Sequence, residues 1–313
     1  MTSTAPCPYA HPRAVADITD CYFYHSMEIP GHGEVTGEWD LRGDEHRYLG
    51  GVNLAGRRVL ELGSASGFLT TYMERQGAEV VAYDLSEDDP WDVVPFAGDE
   101  TLDAESWRDH LRKINNGFWL NHQAHGLAAR LAHGTVYTVP DELGKFDVAT
   151  FAAILLHLRD PFRALQTSLR LVTDMVVVTD VYPASDYHLV ADIVDAPDPS
   201  PGVLTPLPAE AHGEPKATFL PQYWDAAYGD TWWHMSPELV RRYVGVLGFP
   251  DTEITYHHAL ARGRRTLLYT VVGRAGSTRT VASPSGTGRS TGTAHRSWAS
   301  RPVRRSSAAA PPR

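Results

Sequence analysis

From residue 58 to residue 272, short apolar runs alternate with longer stretches whose apolar residues recur every three to four positions. Continuous or alternating apolar runs mark strands, and the 3.6-residue period marks helices. The pattern predicts strands at 58–62, 79–84, 129–133, 146–151 and 175–180. Helices are expected at 67–76, at 104–127, from Asp160-Pro161 onward, and at 236–247. Proline suits a first helical turn, where its missing N–H has no intrahelical partner to lose. Two more strands, 252–258 and 266–272, bring the expected sheet to seven. Strands that alternate with helices imply an α/β domain whose mostly parallel sheet is covered on both faces. Such sheets bind ligands beyond the carboxyl ends of their strands.

Three regions break the alternation. Residues 1–56 read as an N-terminal extension or cap: 1–20 look irregular, and 21–56 carry aromatic and polar residues around Gly31, Gly33 and Gly37, with turns and a short helix. Residues 181–235, after the fifth strand, are rich in Pro, Asp and Gly and in aromatic side chains. A loop of that length inside a domain is expected to be a lid or a binding loop, here a substrate lid inserted in a domain spanning 57–273. Residues 274–313 hold eight arginines and no acid, otherwise mostly Ser, Thr, Gly, Ala and Pro, and are expected to be a disordered basic tail.

The first strand–turn–helix unit, RVLELGSASGFL at 58–69, carries the most chemistry. Gly63 and Gly67 bracket the turn, Glu61 precedes it, and Asp84 ends the next strand. Glycine opens backbone angles closed to other residues and lets a ligand lie against the main chain. The free N–H groups at the start of a helix receive anionic groups, and an acid at the tip of the second strand accepts ribose hydroxyls. A dinucleotide site has a second glycine two residues after the first, so that a pyrophosphate can approach. Here that position is Ala65. The spacing Glu-x-Gly-x-x-x-Gly resembles motif I of class I S-adenosylmethionine (SAM) methyltransferases. That resemblance implies a Rossmann-like methyltransferase fold and SAM as cofactor. It assigns Glu61, Gly63, Ser64, Ala65, Gly67, Asp84 and Leu85 to the cofactor. Phe151, at the end of the fourth strand, joins the same edge.

A narrower likeness covers roughly residues 20–272. YHSMEIP at 24–30, WDLR at 39–42, GTVY at 134–137, LLHLRDP at 155–161 and TWW at 231–233 are similar to the tRNA wobble-uridine methyltransferase-like family, the methoxyuridine and carboxymethoxyuridine type. The resemblance implies SAM or a SAM derivative. Its carboxymethyl branch is expected to use lysines, and the body offers only Lys113, Lys145 and Lys216. Val136 and Tyr137 fall where the adenine is expected to rest. Relatives of this type also look like tailoring enzymes of small-molecule biosynthesis.

Charge separates the functions still open. Removing the eight tail arginines from the formal net charge of −10 leaves −18 on residues 1–273, which repels a nucleic-acid backbone. The leading expectation is therefore a methyltransferase acting at oxygen or nitrogen of a small molecule, in bacterial secondary metabolism. A tRNA-modifying enzyme and a SAM-binding protein without transfer activity remain the alternatives. His157, after the fourth strand, and His25, in the aromatic N-terminal segment, are the candidate bases, since histidine titrates near neutrality. Packing against the sheet is the competing role for each. Tyr24, Arg42, Tyr182, Trp232 and Trp233 are the candidate acceptor contacts, with core packing or a surface ion pair as their plainer fates; Arg159 is weighed in the same way. No metal is expected, because neither the histidines nor Cys7 and Cys21 show ligand spacing. The absence of an apolar run of spanning length and of a leader-like N-terminus makes the cytoplasm the expected location.

Overall fold

Backbone groups of apolar runs must be paired when buried, and the runs of this chain satisfy one another side by side. A computed structural model describes residues 7–97, 104–197, 200, 202–223 and 229–276. The N-terminal region contributes a hairpin, β1 (Met27–Ile29) and β2 (Gly33–Val35), then β3 (Trp39–Asp40) and the single turn α1 (Glu45–Tyr48). The alternating series follows: β4 (Arg58–Leu62), α2 (Phe68–Arg75), β5 (Glu79–Asp84), α3 (Ala104–His125), β6 (Arg130–His133), β7 (Phe146–Ala152), α4 (Pro161–Leu169) and β8 (Val172–Val181). Short elements come next: α5 (Ala191–Val194), β9 (Thr205–Pro206), β10 (Ala217–Phe219) and β11 (Trp233–Met235). The helix α6 (Pro237–Val246) and the long strands β12 (Asp251–Ala261) and β13 (Arg264–Arg274) end the series.

The main sheet runs β3-β12-β13-β8-β7-β4-β5-β6, with β9 also paired to β12. Strands β8, β7, β4, β5 and β6 are parallel neighbours. Strands β13 and β12 are antiparallel to their neighbours and make a hairpin turned by Arg262 and Gly263, at φ 49° and 72°. Positive φ at both central residues matches the twist of the flanking strands. The expected seven strands are present, and the count is corrected to nine because β3 and β9 each lay two residues along the edge of β12. Two residues carry no period, so only the exposed edge of β12 decides that pairing.

Alternation along the parallel strands divides the core. Leu60, Leu62, Val81, Tyr83, Phe151 and Val178 pack on one face of the sheet, whereas Val59, Val80, Val148 and Val177 pack on the other. Both faces are covered, which is why these strands read as nearly unbroken apolar runs. The N-terminal region is part of this packing: Leu41, Tyr48, Leu49 and Leu54 belong to the second face's cluster. Helix α4 starts as its sequence requires, with Pro161 in the first turn and the Asp160 side chain accepting the Arg163 N–H at 3.0 Å.

Residues 181–235 are less of a loop than their composition suggests. Tyr182 is fully buried and donates its hydroxyl to the Ala211 carbonyl at 2.6 Å. Val190, Leu207 and Ala211 join the core, and β10 pairs with β11. The chain divides into two units, Met1–Ser277 and Thr278–Arg313. The expected basic tail, from 277 onward, lies outside the described residues, as does the 224–228 stretch of the expected lid.

Candidate functional site

The carboxyl ends of β4, β5 and β7 and the turn after β6 open on one cavity of about 410 Å3, a volume typical of small-ligand pockets. Its first wall is the turn between β4 and α2. Gly63 sits at φ 78°, and a Cβ there would lie 2.3 Å from Ile154 Cγ2. Ala65, at the position where a dinucleotide site has glycine, also takes a left-handed angle, φ 46°. So does Ala153, after β7, at φ 51°. Together with Arg262 these are the non-glycine residues of positive φ among the described residues, and all three line the cavity. Backbone strain of this kind persists where the surroundings over-determine it, which is a mark of ligand sites.

Asp84 fastens the turn. One carboxylate oxygen accepts the Ala65 N–H at 2.7 Å and the other accepts the Leu85 N–H at 2.8 Å. Ser64 Oγ stands at 3.5 Å from the first of these oxygens. Burial raises the Asp84 carboxyl above its ordinary range, against the lowering effect of those backbone bonds. A carboxylate has about four lone-pair sites, so capacity remains for further donors.

Glu61 and Gly67 do not line the cavity. Glu61 is buried below the turn, where it accepts the Thr70 hydroxyl from α2. Burial pushes its carboxyl up to about 8. Gly67 precedes α2 at φ 80°, and Asn121 of α3 donates to its carbonyl at 2.9 Å. Both residues therefore hold the turn from behind the cavity lining. Phe151 is 1% exposed and belongs to the core, because alternation along β7 turns it to a packed face.

Leu85, Val136 and Tyr137 line the cavity as expected from their positions. Tyr137 donates its hydroxyl to Asp92, and Asp92 also accepts the Arg159 N–H at 2.8 Å. The Asp92 carbonyl accepts the Trp232 indole N–H at 2.7 Å. The Pro90–Asp92 segment is thus tied across one side of the cavity.

The rest of the lining includes Tyr24, His25, Glu38, Trp39 and Tyr48 from the N-terminal region, and His157, Asp230 and Thr231. His157 Nδ1 lies 2.7 Å from the Asp230 carbonyl. A carbonyl can only accept, so Nδ1 carries the proton and the lone pair of the neutral ring is on Nε2. His25 stacks on Phe68, and burial pulls its imidazole down to about 4, so it is neutral at pH 7. Both candidate bases face the same cavity.

The other acceptor candidates divide. Arg42 is on the surface, paired with Asp40 at 2.7 Å and Glu34 at 2.9 Å, and Tyr182 is core; neither reaches the cavity. Trp233 packs edge-on against Phe219, 5.3 Å between ring centres, and is off the cavity. Trp232 is buried behind it, with the Arg159 guanidinium 4.9 Å from its ring centre. Glu38, Tyr48, Trp91, Asp92, Asp230 and Arg262 were not singled out from the sequence. The first five lie in or beside aromatic or proline-containing segments with no period, and Arg262 lies in the turn between the last two strands.

The family comparison agrees with this geometry. A methyltransferase domain model matches residues 37–239, which contain the turn, Asp84, the 134–137 segment and His157. The chain belongs to this methyltransferase family. It carries a SAM-dependent methyltransferase domain. The match is to the broad family; the wobble-uridine likeness rests on the sequence motifs alone. A ubiquinone biosynthesis O-methyltransferase of Psychrobacter arcticus is 28% identical over 129 residues, 41% of this chain and 41% of that protein. The chain thus matches less than half the length of that curated relative. Among solved structures, the N-terminal domain of EvdMO1 with S-adenosylhomocysteine (SAH) and D-fucose is 19% identical with a TM-score of 0.42, covering 74% of this chain and 79% of that one. A 1,6-didemethyltoxoflavin-N1-methyltransferase of Burkholderia thailandensis is 16% identical with a TM-score of 0.38, covering 74% and 75%. Among the described residues no cluster of metal-ligating side chains occurs, and no helix is long and apolar enough to cross a membrane.

Proposed function

We propose that this chain transfers the methyl group of SAM to an oxygen or nitrogen of a small molecule. The observation that carries the reading is that one cavity joins the strained β4–α2 turn and Asp84 to a wall bearing His157 and His25. The residues present fit the cofactor: Asp84 would take the ribose hydroxyls, Val136 and Tyr137 the adenine, and the main chain at Gly63 and Ala65 the methionine part. SAM supplies an electrophilic methyl group that needs no covalent help from the protein. The chain's own task is alignment, and holding the acceptor in line is worth several kcal/mol of the barrier. His157 supplies a proton acceptor at Nε2, held in that tautomer by the Asp230 carbonyl. The acidic body suits a small acceptor better than a nucleic acid. Secondary metabolism is the setting this proposal favours, with residues near 230 covering the acceptor.

The test is incubation with SAM and a panel of phenols, amines and sugars, with tRNA as a further arm, read by mass. A gain of one methyl on a small molecule is expected. His157→Ala should lower that rate by about 10²–10⁴-fold, the usual worth of a positioned base, with SAH affinity unchanged. Methylation of tRNA alone would overturn the small-molecule assignment.

A further inference from the structure

The acceptor wall is unbalanced in charge. The acidic residues lining the cavity are Glu38, Asp84, Asp92 and Asp230, against Arg262 and no lysine among the described residues. Three of the four acids have partners. Asp84 holds the cofactor turn, and Asp92 holds Tyr137 and Arg159. Glu38 is paired with Arg262 at 2.5 Å and receives the Tyr22 hydroxyl. Asp230 differs. Its carboxylate accepts from the adjacent Thr231 hydroxyl at 3.1 Å, and no cation meets it among the described residues.

Two further observations bear on what completes this wall. His25 lines the cavity, and its Nδ1 is buried with no hydrogen-bond partner among the described residues. A buried ring nitrogen left without a protein partner calls for a ligand or water. The rings of Tyr24, Trp39 and Trp91 line the same cavity, and aromatic faces attract cations. The Tyr24 hydroxyl is pushed well above its ordinary value, first by burial and then by Glu38 and Asp230, which places both acids within electrostatic reach of it.

Resting on the methyl-transfer reading, the geometry points to an acceptor that carries a protonated amine, bound with its ammonium on Asp230 and a hydroxyl toward His25. A carboxylate or phosphate in the same place would face Asp230 with no free cation to offset the repulsion, because Arg262 is already spoken for by Glu38. An ammonium instead neutralises the one unpaired carboxylate and meets the faces of the aromatic wall.

Three near-isosteric probes separate the cases: tyramine, the neutral alcohol tyrosol, and 4-hydroxyphenylacetate. The full-length protein is saturated with SAH and titrated with each by calorimetry. Tyramine is expected to bind at least about tenfold tighter than 4-hydroxyphenylacetate and clearly tighter than tyrosol. Asp230→Asn keeps the side-chain shape and the backbone carbonyl that holds His157, and should bring tyramine and tyrosol to within about twofold. Tyrosol or the acid binding as well as tyramine, tyramine failing to bind, or selectivity surviving in Asp230→Asn would each overturn the assignment. The SAH titration reports separately: a protein that does not bind SAH sinks the methyltransferase reading itself, whereas SAH binding without amine selectivity sinks only the amine.

Discussion

Replacing Asp84 by alanine separates cofactor binding from folding. The carboxylate lies at the tip of β5 on the cavity wall and accepts the Ala65 and Leu85 N–H groups at 2.7 and 2.8 Å. With SAH bound, its remaining lone pairs would take the ribose hydroxyls. Hydrogen bonds to a charged acceptor are worth about 1.5–3 kcal/mol, and each 1.4 kcal/mol is about tenfold, so SAH affinity should fall roughly ten- to a hundredfold. Folding should respond differently. The carboxyl is raised from its ordinary range because burial outweighs its hydrogen bonds, so the fold disfavours the ionised group relative to the unfolded chain. Removing it relieves that penalty, and water in the cavity can take the two freed N–H groups. Unfolding free energy at pH 7 should therefore stay within about 0.5 kcal/mol of the wild type. Calorimetric titration with SAH and urea unfolding measure the two quantities on the same preparations. Asp84→Asn, which keeps one acceptor oxygen, should fall between wild type and alanine in affinity. Unchanged SAH affinity in Asp84→Ala would remove the residue from the site. A loss of stability matching the loss of affinity would show that Asp84 acts only by holding the turn.

Gly63→Ala places a Cβ 2.3 Å from Ile154 at φ 78°, and strain of this kind together with overpacking should lower stability by about 1–3 kcal/mol in urea unfolding. Glu61→Gln should flatten the pH profile of stability. The folded carboxyl is raised to about 8 from an ordinary 4.5, so its contribution is fully present below pH 4.5 and is lost as pH rises through 8. Melting temperatures from pH 4 to 9 should fall less for the glutamine variant, and parallel profiles would refute the assignment. Trp233→Ala should leave SAH affinity unchanged while lowering stability by less than the roughly 3–5 kcal/mol of a fully buried ring, because the indole packs on Phe219 away from the cavity.

The order of strands and helices at 58–181 and 236–274 was determined by the sequence itself, because both faces of the parallel strands are buried and each helix carries one apolar face. The turn was equally legible: Gly63 takes a left-handed φ of 78°, which glycine favours, and Asp84 accepts the N–H groups of Ala65 and Leu85. Long-range placement was a matter for the tertiary structure. Alternation along β7 turned Phe151 inward, and β9 found the edge of β12 with two residues that carry no pattern. Glu61 and Gly67 sit one layer behind the cavity, a distinction that motif spacing does not encode. The acceptor wall is assembled from residues 24–48, 90–92, 157, 230–231 and 262, distant in sequence and without a shared period. Only the closing of the sheet brings them together, because a cavity is made by elements that meet in space, whereas a sequence pattern reports what each element buries by itself.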